Sequence, residues 1–170
     1  VTYSTLGAGA YQTVRTPVIG KTGWVYFTSG RYLMAMDTTG AIAWSYDLGI
    51  AGTPTGYAAP AVGDDNVVYV GGRDGVVHAV NGLTGALLWK IDLGLYSVAD
   101  ASPVIGPDGK IYVVENGSYD KLHAIYPNGA WAWSLQMNLG FSNGTSSPAI
   151  SDEGTTGPDD FGDDVLFIGG

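Results

Sequence analysis

The chain repeats itself about every 44 residues. Pro17, Pro60, Pro103 and Pro148 are spaced by 43, 43 and 45 residues, and Trp44, Trp89 and Trp133 by 45 and 44. Tyr26, Tyr69 and Tyr112 each follow their proline by nine residues. One period shared by three residue types marks a single supersecondary unit copied along the chain. Such a unit cannot bury its apolar face alone, so each copy has to stack on the next.

Every copy reads the same way. Thr16-Pro-Val-Ile19, Ala59-Pro-Ala-Val62, Ser102-Pro-Val-Ile105 and Ser147-Pro-Ala-Ile150 are short first strands. Their proline stands at the entry, where no ladder donor is required. A turn follows, as in Gly20-Lys-Thr-Gly23, Gly63-Asp-Asp-Asn66 and Gly106-Pro-Asp-Gly109. The second strand is apolar: Trp24-Val-Tyr-Phe27, Val67-Val-Tyr-Val70 or Lys110-Ile-Tyr-Val-Val114. The third is Tyr32-Leu-Met-Ala-Met36, Val76-Val-His-Ala-Val80 or Lys121-Leu-His-Ala-Ile125, and the fourth ends on the tryptophan. Two hairpins per copy make a four-stranded antiparallel blade. Blades of this length predict an all-β, partial β-propeller, with the first strand near the axis and the tryptophan-bearing strand outside.

The ends and one insertion set the expected boundaries. Residues 1–15 read as the outer strand of a preceding blade plus a linker. Blades follow at 16–49, 59–94 and 102–137, and 147–170 is a half blade. Three and a half blades leave faces to cover, so the chain is expected to be a piece of a larger ring or to close a ring with other copies. The start Val1-Thr-Tyr-Ser, without an initiator Met or signal peptide, fits a processed or partial chain. In the half blade, Phe167 follows Pro148 by 19 residues instead of nine. The surplus carries Asp152, Glu153, Asp159, Asp160, Asp163 and Asp164, six of the chain's 16 acidic residues.

Composition excludes several function classes. The net charge is −9 with only seven Lys and Arg, so a basic face for nucleic acid or anionic lipid is missing. Charged residues are 14% against 45% hydrophobic, which argues against disorder. There is no cysteine, hence no disulfide and no thiolate metal site. No apolar run is long enough to span a bilayer as a helix.

At the third turn, Ala79-Val-Asn-Gly-Leu-Thr-Gly85-Ala-Leu-Leu-Trp89 resembles the tryptophan-docking motif of PQQ-type (quinoprotein-like) propeller repeats. Blade 1 keeps Ala35, Asp37, Gly40 and Trp44; blade 3 keeps Ala124, Gly129 and Trp133 but has Tyr126 in place of the Asp. The resemblance implies that Trp44, Trp89 and Trp133 dock blades together, over turns opened by Gly40, Gly85 and Gly129. Independently of any family, an indole placed across a neighbouring blade buries roughly 150–250 Å², and glycine supplies the positive φ of a tight turn.

Quinoprotein dehydrogenases of this type carry a vicinal cysteine pair and a metal held by carboxylates and amides. The lack of cysteine therefore implies that these residues hold no PQQ. His78 and His123 take the same repeat position in different blades, which predicts structural roles and no shared metal. The acidic loop reads as a solvated loop, with calcium as its alternative: it offers the oxygens Ca²⁺ prefers but lacks the Asp-x-Asp-x-Asp-Gly spacing. Asn116-Gly-Ser118 and Asn143-Gly-Thr145 fit a glycosylation acceptor and, more simply, a hairpin turn.

The resemblance implies a non-enzymatic propeller that binds a protein or ligand at a bacterial or archaeal periplasmic, cell-surface or extracellular site. The scaffold lipoprotein of bacterial outer-membrane assembly belongs to that broad class. Two alternatives are a fragment of a PQQ-dependent dehydrogenase with its cofactor site in other blades, and a structural repeat unit of a filament or surface layer. Partners are then the remaining blades or other copies, together with a bound protein. The calcium reading has a direct consequence: millimolar Ca²⁺ raises the melting temperature. An unchanged melting curve leaves the loop as solvated carboxylates.

Overall fold

The computed structural model describes residues 15–49, 58–72, 75–94, 101–115, 121–137, 147–151 and 165–168. Fourteen strands and no helix occur among them. Blade 1 is β1 (Val18–Ile19), β2 (Val25–Ser29), β3 (Tyr32–Met36) and β4 (Ile42–Asp47). Blade 2 is β5 (Ala61–Val62), β6 (Val67–Gly71), β7 (Val76–Asn81) and β8 (Leu87–Asp92). Blade 3 is β9 (Val104–Ile105), β10 (Ile111–Glu115), β11 (Lys121–Ile125) and β12 (Trp131–Gln136). In each the strands pair antiparallel in chain order. The hairpin of β13 (Pro148–Ser151) and β14 (Val165–Ile168) begins a fourth sheet, with Ala149 opposite Phe167. The partial propeller expected from the repeat is the observed architecture.

Two details depart from the strand limits read in the sequence. The fourth strands continue past the tryptophan to Asp47, Asp92 and Gln136. Each also carries a bulge: Ala35 pairs Trp44 while Met36 pairs Ile42, and the same slip recurs at Ala79/Val80 and Ala124/Ile125. One residue before each tryptophan is thus left out of register. A bulge at one fixed place re-aims the side chain beside it.

The apolar core lies between blades. Along β6, Val68 and Val70 belong to the cluster shared with Tyr26, Leu33 and Ala35 of blade 1. Val67 and Tyr69 belong to the cluster shared with Ile111, Val113 and Ile125 of blade 3. Successive residues of a strand point to opposite faces, so a strand covered on both faces reads as the unbroken run Val67-Val-Tyr-Val70. The outer strands β4 and β8 have exposed residues along most of their length. The first strands form the other edge, where β1 touches β5, β5 touches β9, and β9 touches β13.

Along that inner edge, hydrogen bonds step from blade to blade with the period of the repeat. Ala59 N–H donates to Ser102 Oγ at 3.0 Å, and Ser102 N–H donates to Ser147 Oγ at 2.9 Å. These residues precede the repeated prolines, whose missing N–H leaves the preceding amide as the donor at the strand entry.

At the outer edge, Trp89 bridges blades 2 and 3. Its indole Nε1–H donates to the Pro127 carbonyl at 2.8 Å. Its ring lies so close to Gly129 that an added Cβ would stand 3.0 Å from it. Truncating such a side chain costs about 3–5 kcal/mol when fully buried, and Trp89 is half-buried. Trp89→Ala therefore lowers the melting temperature by roughly 6 °C in a chain of this size. Melting followed by far-UV circular dichroism checks this; a fall under about 2 °C contradicts a load on the seam.

Candidate functional site

The seam between blades 1 and 2 is closed by a polar knot. Gly82 O accepts the Trp44 indole N–H at 2.8 Å and the Tyr26 hydroxyl at 3.3 Å. The Tyr26 hydroxyl also reaches Asn66 Oδ1 at 3.1 Å. Gly85 lies against the Trp44 ring, where a Cβ would meet it at 2.8 Å, and has φ +72°. Two separate demands, a left-handed backbone and close approach, converge on that glycine. Tyr26 and Trp44 stack obliquely with ring centroids 6.0 Å apart. In the next seam the Tyr69–Trp89 pair repeats this pose at 5.8 Å. In blade 3, Trp133 meets Tyr112 at 5.8 Å and stays 41% exposed. Gly40 has φ +84° like its counterparts.

The two histidines are buried and separately engaged. His78 Nδ1 lies 3.2 Å from the Tyr46 hydroxyl of blade 1. The position corresponding to Tyr46 one blade on is Ile91, which has no polar atom to offer. His123 is bonded within its own sheet instead. Its Nε2 lies 2.7 Å from Glu115 Oε2 and its Nδ1 2.8 Å from Ser134 Oγ. Lys121 Nζ stands 3.6 Å from the same Glu115 oxygen, and the Trp131 ring meets His123 edge-on. Sequence reasoning missed Glu115, a buried carboxylate. The pairing of Val113 with His123 and Glu115 with Lys121 puts it two residues along the neighbouring strand, on the same face as the histidine.

No grouping of three or more His, Asp or Glu able to hold a metal occurs among the described residues. Asp152, Glu153, Asp159, Asp160, Asp163 and Asp164 lie outside the described residues, as do Asn116, Asn143 and residues 1–14 of the outer strand and linker expected at 1–15.

A cavity of about 500 Å³ opens between blades 2 and 3. It is rimmed by the turns 63–65 and 106–109, with Tyr69 at its inner wall and Pro127 at its outer edge. Among the described residues its lining includes no histidine, serine or lysine. Such a volume is typical of a ligand pocket. Burial, with Asp65 nearby, pushes the Tyr69 phenol up to about 12, so it remains a neutral hydroxyl.

The His123 contact has a pH signature. Burial pushes this imidazole below its ordinary 6.5, against the pull of the Glu115 carboxylate, and Lys121 adds to the lowering. Above 6.5 both folded and unfolded states carry it neutral, and its contribution to stability is fully present. As pH falls below 6.5 the unfolded chain takes up the proton first, and stability declines through the lower folded value. Melting temperature therefore drops between pH 7 and 5, and His123→Gln flattens that slope. Parallel slopes in parent and variant would remove His123 as the source.

The family model described as outer membrane protein assembly factor BamB, of the PQQ-like repeat type, matches residues 29–167. No curated protein matches the chain significantly. Among solved structures, it is similar to the quinohemoprotein alcohol dehydrogenase of Comamonas testosteroni, with TM-score 0.62 and 23% identity over 71% of this chain and 20% of that one. BamB of Moraxella catarrhalis gives TM-score 0.60 and 21% identity over 78% of this chain and 41% of that one. A Bacteroides caccae protein of unknown function gives 0.57 and 19%, over 86% and 52%. The chain thus spans a fifth of the dehydrogenase and about half or less of the others. These three likenesses show a common fold. The match of the family model over most of the repeat array settles the wider question: the chain belongs to the PQQ-like β-propeller repeat family that includes the assembly factor BamB.

Proposed function

We propose that this chain is part of a non-enzymatic propeller of the cell envelope or exterior, serving as a scaffold that binds another protein. The observation that supports it best is the turn-rimmed cavity between blades 2 and 3, which has carboxylates at its mouth and no catalytic grouping among its described lining residues. Several polar groups elsewhere are engaged in joining or bracing blades: Tyr26 and Trp44 across one seam, Trp89 across the next, His123 within blade 3. A frame held in this way presents its turns rigidly. Rigid loops on a stable scaffold are where binding residues concentrate. Kinship with an outer-membrane assembly factor supports the same reading.

A dehydrogenase fragment is the second reading, favoured by the likeness to the quinohemoprotein enzyme. On that reading the quinone is held by other blades, since the chain has no cysteine pair.

Two assays separate the readings. The whole propeller to which this chain belongs, supplied with PQQ, Ca²⁺ and a primary alcohol, is expected to reduce no dye acceptor. A photo-crosslinker at Leu83, 52% exposed on an outer turn, is expected to capture one discrete protein in the native host. Alcohol-dependent dye reduction overturns the scaffold reading in favour of the enzyme.

A further inference from the structure

We infer that the cavity between blades 2 and 3 is a receptor for a basic side chain, arginine above lysine, of a partner protein. The cavity itself follows from one break in the repeat. Gly23, Asn66 and Gly109 occupy the same turn position, each with positive φ, at 80°, 62° and 75°. In the first seam the Asn66 side chain reaches back to the Tyr26 hydroxyl at 3.1 Å. In the second seam that place falls to Gly109, which has no side chain. A Cβ built there meets nothing within 4 Å.

A second change widens the gap. The outer turn of blade 2 runs Asn81–Gly85 and closes with Gly85 N–H on Asn81 O. That of blade 3 runs Tyr126–Gly129, one residue shorter, and closes with Gly129 N–H on Tyr126 O. Gly82 O accepts both Trp44 and Tyr26, whereas Pro127 O accepts the Trp89 indole alone among the described residues.

The three repeated tyrosines therefore have three fates. Tyr26 is bonded across its seam. Tyr112 donates to Asp108 of its own blade at 2.9 Å. Tyr69 is 2% exposed, lines the cavity, and bonds to none of the described residues through its hydroxyl. Its side chain is buried while its hydroxyl faces the cavity, where it can bond to an occupant.

The lining sets the occupant's chemistry. Among the described residues its polar side chains are the Tyr69 hydroxyl and the Asp64 and Asp65 carboxylates, and no cationic side chain lines it. Its apolar lining side chains are Val62, Ile105, Pro107 and Pro127 beside the Tyr69 ring. Asp64 is already shared with Lys21 of blade 1, in an exposed pair at 2.8 Å, and Asp65 Oδ1 accepts the Val67 N–H at 3.1 Å, which leaves Asp65 Oδ2 to carry more of the recognition. A long apolar stem ending in a rigid fork of donors matches this set: the stem lies against Ile and Pro, and the head donates to the hydroxyl and a carboxylate. A net charge of −9 steers such a partner toward the chain.

The inference deepens the scaffold reading and rests on it for the partner, while the cavity stands on the repeat geometry. The test titrates acetyl-Gly-Arg-Gly-amide, and its citrulline counterpart, into the full ¹⁵N-labelled chain. The expected result is saturable shifts at the amides of Gly63, Gly106 and Gly109, with the citrulline peptide at least about fivefold weaker because it lacks the charge. Gly109→Asn places in the second seam the residue the first seam already tolerates at this φ, and it weakens binding at least about tenfold. Should that variant fold poorly, Tyr69→Phe removes only the hydroxyl and weakens binding about threefold or more.

Absent saturation, equal affinity for citrulline, or full affinity in the folded variants each overturns the inference. Those failures leave the scaffold reading to its crosslinking assay. Failure of that assay with the peptide bound as expected overturns the scaffold and keeps the cationic site.

Discussion

The indole N–H groups of Trp44 and Trp89 each end on a carbonyl in the next blade's outer turn, and most of the structure depends on that reach. A four-stranded sheet with both faces apolar has no stable existence alone. It persists because each face is covered by a neighbour, as β6 shows by alternating its side chains between two clusters. The indole then ties the outer edge, where little else is buried. At the inner edge the serine relay does the corresponding work with smaller groups. Between these ends the blades are held by contacts that recur with the sequence period.

This arrangement makes each seam a separate problem solved by slightly different residues. His78 finds Tyr46 across the first seam. The second seam has Ile91 at the corresponding position, and His123 turns to Glu115 and Ser134 of its own sheet. Asn66 fills one notch and Gly109 leaves the next open. A repeat protein can build a site this way without disturbing its frame, because blade contacts at Trp89 and Pro127 stay intact beside the cavity.

How much of this was legible in the sequence follows from what is periodic. Pro, Tyr, Gly and Trp recur at fixed intervals because every blade needs the same entry, stack, turn and bridge. From them the strand order and the β13–β14 hairpin across the acidic insertion could be read. The bulge before each tryptophan was not legible: it is a matter of pairing, and Ala43, Leu88 and Ala132 carry no mark of it. The departures from period were visible as letters but not as consequences. Asn66 in place of Gly was one such letter, and asparagine tolerates the left-handed region. Nothing in the sequence said that its side chain would meet Tyr26, since that contact spans 40 residues. Glu115 was hidden for the same reason, as its partner is set by strand register.

The account stands on the claim that side chains of one blade lock into the turns of the next. A double-mutant cycle on Tyr26→Phe and Asn66→Gly tests it directly, because the cycle cancels the backbone effect of the glycine and isolates the contact across the seam. Groups that share a hydrogen bond are coupled by about 0.5–3 kcal/mol. Chemical denaturation of the four proteins is predicted to give a coupling near 1 kcal/mol, the typical net worth of such a bond. Strict additivity of the two substitutions would contradict the lock and with it the origin of the open notch in the second seam.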